Sequence, residues 1–191
     1  MSQVGRNGVV VKTFQGLMTC SAYRRTWAFP AEVEELLRAE TAGLSVLHLF
    51  GGQAGWGVRL DSDPATRPQV VGNAFFPPFK CESFDVVLCD PPYKSSNGLY
   101  AYCLVPAACL ARRRVWWFST DALAAWYHGL RLLRWWAVMP SSHGPLRYLA
   151  EFDRTRHPRS CYPRPGKGAR SLPAAIRPYD WRSRIEQPTL L

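Results

Sequence analysis

An apolar run, residues 84–89, stops abruptly at Asp90-Pro91-Pro92-Tyr93. Two successive prolines remove two backbone donors and fix two φ angles. The carboxylate before them and the ring after them are therefore held in one stiff arrangement. An acid, a rigid turn and an aromatic ring at the end of a buried strand are the ingredients of a preorganised polar site; the plainer alternative is a turn that is only rigid. A second unusual turn lies upstream, where the apolar run 45–50 gives way to Gly51-Gly52-Gln53-Ala54-Gly55-Trp56-Gly57. Glycine admits backbone conformations and close approaches that other residues do not.

Both turns need strands to carry them. Residues 45–50, 58–61, 68–72, 84–90 and 114–119 read as short strands, most of them continuously apolar, as strands buried on both faces are. Residues 29–41 read as a helix opened by Pro30, with Val33, Leu36 and Leu37 on one face. Residues 99–113 read as a helix that Pro106 must kink or split, and Asp121 as the cap of a further helix over 122–130. Residues 130–139 and 145–152 flank a turn-rich joint and predict an antiparallel hairpin. Residues 1–26 offer one β-like run, 8–14, and polar turns. Strand–loop and strand–helix units with a terminal hairpin predict an open α/β sheet, which binds ligands at the carboxyl ends of its strands. The two odd turns, after Phe50 and after Cys89, both fall at such ends, so a joint site is expected. The link from Phe50 to Val58 is short for a parallel crossover. Seven extended residues reach about 24 Å against a strand of about 17 Å, so the return is feasible with at most one helical turn, and the first half of the fold is short of helices.

The chain has 191 residues, 47% of them hydrophobic and 13% aromatic, enough for one domain with a proper core. The expected division is a single domain over 1–152 and a basic Pro/Gly-rich tail over 153–191. Net charge is +10, with 24 Lys and Arg against 14 acids. From Asp153 onward nine basic residues face three acids, so the field is concentrated in the tail. Such a field attracts phosphate backbones; a solvated tail without a specific partner, and the Arg, Ala and Pro bias of a GC-rich genome, are the competing explanations. No signal-like apolar segment and no run near the roughly 18 residues of a membrane span is seen, so a cytoplasmic protein with no membrane association is expected. The six cysteines, at 20, 81, 89, 103, 109 and 161, form no metal-ligand spacing. They are expected as free, mostly buried thiols, and no metal is expected, His157 and Cys161 lacking further ligands. The adjacent tryptophans 116/117 and 135/136 should each place one ring in the core and one outside it, for packing or for stacking on bases.

Taken together, residues 46–93 resemble the S-adenosylmethionine-dependent amino-methyltransferases that carry a (D/N/S)-P-P-(Y/F/W) motif, in particular small methylases often found in mobile elements. Asp90-Pro91-Pro92-Tyr93 matches that catalytic motif, and Phe50, Gly51, Gly52 and Ala54 fall on the cofactor loop, usually F-x-G-x-G. Ala54 stands where the second loop glycine is usual. The resemblance implies a Rossmann-like class I methyltransferase sheet and transfer of a methyl group to the exocyclic amine of a nucleobase. N6 of adenine in DNA is the first reading; RNA adenine or cytosine N4 is the alternative within that chemistry. A catalytically inactive nucleic-acid-binding module on the same fold, and a protein or small-molecule methyltransferase, are alternatives outside it.

The resemblance also assigns roles. An exocyclic amine is a poor nucleophile because its lone pair is delocalised into the ring. Hydrogen bonds from it to the Asp90 carboxylate and the Pro91 carbonyl, fixed by Pro92, would pyramidalise the nitrogen, and Tyr93 would stack on a base taken out of its duplex. Gly52, with Gly51 and Ala54 completing the turn, would admit the methionine portion of S-adenosylmethionine, and Asp61 would accept the ribose hydroxyls. Asn73 stands where relatives often have an Asp that contacts the adenine, and its amide oxygen still accepts. Asp63 is either a further acid of this site or a turn cap. His48, where relatives often have Asp, reads as a satisfied core residue. Residues 94–98 are either a plain surface loop or a segment that closes over the base. Residues 163–170 are a basic linker without P-loop spacing.

Overall fold

The computed structural model describes residues 3–4, 10–11, 14–20, 29–92, 103–120, 126–127, 129–140 and 146–155. A small ribbon pairs β1 (Gln3–Val4) with β2 (Val10–Val11). Then come β3 (Phe14–Cys20), α1 (Ala31–Glu40), β4 (Val46–Leu49), β5 (Val58–Asp61), a 3-10 turn (Pro64–Thr66), β6 (Val70–Val71) and β7 (Phe84–Cys89). The second half holds α2 (Leu104–Leu110), β8 (Ala111–Ser119), β9 (Trp126–Tyr127), β10 (Leu130–Pro140) and β11 (Arg147–Arg154).

One sheet contains β3 to β11, in the order β3-β10-β11-β8-β7-β4-β5-β6, with β9 beside β10. From β8 to β6 every neighbour is parallel, while β11 runs antiparallel between β8 and β10. This is the Rossmann-like α/β sheet with a terminal antiparallel hairpin that the sequence implied. The chain enters the sheet's centre at β4, runs outward through β5 and β6, and returns to β7 on the other side of β4. Strand order reverses at β4, so the carboxyl ends of β4 and β7 diverge into a crevice. The crossover from β4 to β5, residues 50–57, contains no helix, within the one turn that so short a link allows.

Both sheet faces are covered, and alternation along the strands sorts residues between them. Val46, Val86, Leu88, Trp116, Phe118, Val138 and Leu149 pack with Val33 and Leu37 of α1 and with Phe29. Leu47, Leu49, Leu60, Val87, Val115, Trp117 and Phe152 pack with Leu104, Ala107 and Ala108 of α2. Trp116 and Trp117 are thus both buried, each against a different helix layer, so the second ring of the pair packs on a helix instead of being open to bases. Trp136 stacks on Trp116 at 5.5 Å, while Trp135 is half-buried against Tyr148. Glu40 at the end of α1 bonds Arg134 at 2.7 Å, and Arg134 also meets Glu151, a buried carboxylate that accepts from Arg114 at 2.8 Å. The network ties α1 to the hairpin.

Several elements differ from the sequence reading for local reasons. Residues 14–20 form a seven-residue edge strand, parallel to β10, rather than turns. Their polar residues Gln15 and Thr19 face outward on an edge that needs few apolar positions. Within α2 Pro106 interrupts nothing. It lies in the first turn of α2, where no intrahelical donor is missed, and residues 111–113, read as helix, begin β8. Trp126–Tyr127 is a strand against β10, not helix; Asp121 lies outside the described residues. β11 runs to Arg154, two residues past the expected end of the hairpin at 152, and is held there by Arg131–Asp153 at 3.0 Å and Arg154–Glu82 at 2.6 Å. Residues 156–191, with His157, Cys161 and the 163–170 linker, are outside the described residues, as are 93–102. Among the described residues no helix is long and apolar enough to cross a membrane.

The cysteines also depart from expectation. Cys81 and Cys109 are joined as a disulfide, Cα–Cα 5.0 Å, closing 28 residues between the loop before β7 and the end of α2, while Cys89 and Cys103 are free and buried. Cross-linking restricts the unfolded chain, so Cys81→Ala is expected to lower unfolding free energy by about 2 kcal/mol, the lower end of such effects. Urea denaturation checks this: a reductant should bring the wild type down to the variant and leave the variant unchanged.

Candidate active site

Asp90 follows the last residue of β7, and the loop 50–57 follows the last residue of β4, its pairing neighbour. One cleft lies between these ends. Leu49 and Leu88 line it, together with Phe29, His48, Phe50, Gly51, Ala54 and Asp90. The structure therefore brings together Phe50, Gly51, Ala54 and Asp90 of the sequence-derived set. Pro91 is buried and Pro92 exposed, so the turn is anchored on one side. Tyr93 lies outside the described residues.

The loop is built by close backbone contact. Phe50 has φ 63°, a left-handed conformation that non-glycine residues rarely adopt and that clusters at functional sites. Its ring meets Phe75 edge-on at 6.4 Å. Gly51 donates its N–H to the Leu60 carbonyl at 2.9 Å and runs so near β5 that a Cβ there would lie 2.6 Å from Arg59 Cβ and 3.0 Å from Arg59 Cα. Contact with β5, rather than with a ligand, is the reason for this glycine. Ala54 closes the turn through its N–H to the Gly51 carbonyl at 3.0 Å, with no positive φ, so an alanine is tolerated there. Gly57 is the glycine that the ring beside it requires: at φ 68°, a Cβ would sit 3.0 Å from the His48 ring.

Because Arg59 Cα cannot swing aside, Gly51→Ala is expected to destabilise the fold by about 2 kcal/mol, as overpacking does. Thermal or urea unfolding checks this, with the exposed neighbour Gln53→Ala unchanged.

Asp61, at the end of β5, accepts the Gly52 N–H at 2.8 Å through Oδ2 and the Asp63 N–H at 2.9 Å through Oδ1. It fastens the loop and keeps one acceptor position on each oxygen. Arg59 adds a second fastening, its guanidinium donating to the carbonyls of Gly52 at 2.9 Å and Thr66 at 3.1 Å. Asp63 accepts from Ala65 N–H at 2.9 Å and caps the 3-10 turn, which settles its role as a turn cap. Asn73 accepts from Phe75 N–H at 2.9 Å through Oδ1. It follows Gly72, whose N–H reaches the Asp61 carbonyl at 2.8 Å, and thus stands beside the Asp61 end. Asp61, Gly52 and Asn73 frame the loop and do not line the cleft itself.

His48 is a core residue, as the sequence indicated, but not a satisfied one. It is 2% exposed and lines the cleft, and its Nε2 has no hydrogen-bond partner among the described residues. Trp56 meets the ring edge-on at 4.7 Å and Phe29 lies at 6.2 Å. Burial first, then the Arg59 and Arg38 charges, lower its pKa to about 4, so the imidazole is neutral. Phe29 went unread; its one signal was its place just before the helix-opening Pro30. Burial, then the Asp90 charge, push the Cys89 thiol up, so this neighbour of Asp90 stays protonated and is no nucleophile. Among the described residues no group of three His, Cys, Asp or Glu is gathered as metal ligands would be.

No family model matches the chain, and no curated protein matches it in sequence. Solved structures similar to it include a conserved hypothetical protein of Streptococcus pyogenes, 16% identical over 60% of this chain and 88% of that one, with a TM-score of 0.42. Another is a candidate methyltransferase, yhhF of Escherichia coli, 15% identical over 73% of this chain and 92% of that one, with a TM-score of 0.45.

Proposed function

We propose that the chain is an S-adenosylmethionine-dependent methyltransferase acting on the exocyclic amine of a nucleobase, with N6 of adenine in DNA as its substrate. The observation that carries this reading is the cleft at the strand-order reversal, where Asp90 of the Asp-Pro-Pro turn faces the Phe50–Ala54 loop across paired strand ends. The residues present fit the cofactor. A loop pressed close to β5, an acid with acceptor positions left over and apolar walls suit a ligand with a nucleoside at one end and an amino acid at the other. When bound, the cofactor supplies a sulfonium-linked methyl group.

The chain's own residues do the rest. Asp61 takes the ribose hydroxyls with its remaining lone pairs, and Asn73 lies toward the adenine. Asp90 and the Pro91 carbonyl accept the two N–H groups of the target amine, drawing them out of the base plane and turning the nitrogen lone pair toward the methyl. Their rigidity means that little reorganisation is needed at the moment of transfer. Tyr93 stacks on the extruded base, and the basic residues after β11 hold the phosphate backbone.

Nucleoside mass spectrometry after incubation with S-adenosylmethionine and unmethylated DNA or RNA tests this. N6-methyladenine in DNA, absent with Asp90→Ala, is the expected result. Methylated adenine in RNA alone, or methylcytosine, would replace the substrate, and no methylated nucleoside in either polymer would overturn the reading.

A further inference from the structure

A sheet face stays dry only where another layer covers it. On one face the α1 layer packs across to Trp136, Val138 and Leu149 of the hairpin. On the other face α2 packs on β7 and β8. Beyond α2, toward the carboxyl ends of β10 and β3, no described helix covers that face.

Large apolar side chains are exposed at that place. Leu17 is 52% exposed, Met139 41% and Leu146 43%, three of the four exposed large apolar residues described. Strand register brings them together. Leu17 pairs with Ala137 and Met139 with Thr19, while Ala137 also pairs with Tyr148. Leu146 lies two residues before Tyr148 and so shares its face. Met18 and Val138, one residue along, join the α1 layer instead. The result is one apolar strip across three strands, reaching β3 at the edge of the sheet.

What fits the strip follows from its charge. Residues 14–20 and 135–140 include no charged side chain, in a chain that is 20% charged and carries a net +10. Arg147, the one charged residue among 146–150, lies over Phe118 of the opposite layer. Without a cation the strip offers nothing to a phosphate backbone, and without an acid it offers nothing to the basic tail. A second copy presents the same neutral strip, matched in size and polarity, and a two-fold axis makes one patch its own complement. Two strongly basic chains also meet there without setting like charges in contact. Edge strands commonly carry a charge or a proline that discourages association, and β3 has neither.

Three strands about 4.8 Å apart, over roughly 20 Å of their length, give about 300 Å² on each copy. Apolar patches of about that size mark interaction sites, but stable interfaces bury at least about 1,200 Å² in total. The association is therefore weak.

We propose that the chain forms a weak two-fold dimer in which this strip of β3, β10 and the start of β11 packs face to face with its copy. The cleft at the ends of β4 and β7 lies two strands or more away, so both clefts stay open. The dimer stands whether or not that cleft holds S-adenosylmethionine.

Sedimentation velocity of the full chain, freed of nucleic acid, from about 1 to about 200 μM tests this by mass action. The mean mass of the wild type should rise from 21.6 kDa toward twice that value. Leu17→Lys combined with Met139→Lys sets cations against their own copies and should weaken the dimer at least tenfold. Val71→Lys, at an exposed apolar position on the opposite edge strand β6, should dimerise as the wild type does. All three proteins should share one urea midpoint, since every substituted side chain is exposed. Added salt should tighten the dimer by screening the net repulsion, whereas bridging by residual nucleic acid weakens in salt. A wild type that stays at 21.6 kDa throughout overturns the proposal. So does a dimer that the double variant leaves intact, that Val71→Lys disrupts equally, or that salt dissolves.

Discussion

Asp90→Ala is expected to lower the rate of methyl transfer about a thousandfold while the binding of S-adenosylhomocysteine changes by less than about threefold. A preorganised hydrogen-bonding group aimed at charge that develops in the transition state contributes about 10²–10³ in rate, and about 10³ corresponds to roughly 4 kcal/mol. Asp90 belongs at the top of that range because the amine becomes partly cationic as it attacks, and only a carboxylate meets a cationic N–H with full charge. Asp90→Asn keeps an oxygen acceptor on the same backbone turn and loses the charge. Charge-assisted hydrogen bonds are about twice as strong as neutral ones, so Asn should lose about half of that, roughly 2 kcal/mol, and sit about thirtyfold below the wild type. Asp90 is half-buried and follows the strand rather than lying within it, so neither variant should unfold the protein. Single-turnover kinetics on DNA, beside calorimetric binding, separate the rate from affinity. Alanine and asparagine variants within a few-fold of the wild type would remove Asp90 from the chemistry. A loss confined to ligand affinity would reassign it to binding.

What could be read from the sequence was what one strand or one turn determines by itself. The runs 46–49 and 84–89 are apolar on both faces, and a strand of that kind belongs in a parallel sheet between two helix layers, which is where β4 and β7 lie. That both runs end in chemically odd turns was enough to put those turns in one place. The parts that were misread depend on partners far away in the chain. Residues 14–20 have no strong pattern of their own and become a strand because β10 offers an open edge. Trp126–Tyr127 carries a helical look that pairing with Leu130 and Arg131 overrides. In the site, Gly51 was read as completing the cofactor turn, whereas what demands a glycine there is Arg59, eight residues on and visible only once β5 lies beside the loop. His48 was read as satisfied because satisfaction is a property of surroundings, and sequence does not reveal that Nε2 meets no partner.

The same surroundings make His48 an acid-sensitive point in the fold. The sign follows from which state binds the proton. Unfolded, its pKa is 6.5; folded, burial and the Arg59 and Arg38 charges lower it to about 4. Between those values the unfolded chain binds the proton and the folded chain does not, so stability falls as pH falls. Above pH 7.5 both states are neutral and the contribution is complete. Below about pH 4 both are protonated and nothing further is lost. At 1.36 kcal/mol per pKa unit the loss across the window comes to about 3 kcal/mol, a large share of the 5–15 kcal/mol typical of a domain. Asp85, whose pKa is lowered chiefly by hydrogen bonds from Ser45, titrates below this window and does not confuse it. His48→Phe carries no titrating group at the site. The stability difference between wild type and variant, followed by urea unfolding from pH 8 to pH 4, should therefore shift against the wild type by about 3 kcal/mol, most steeply between pH 6 and pH 4.5. Parallel curves would mean that the folded imidazole accepts its proton as readily as the unfolded one.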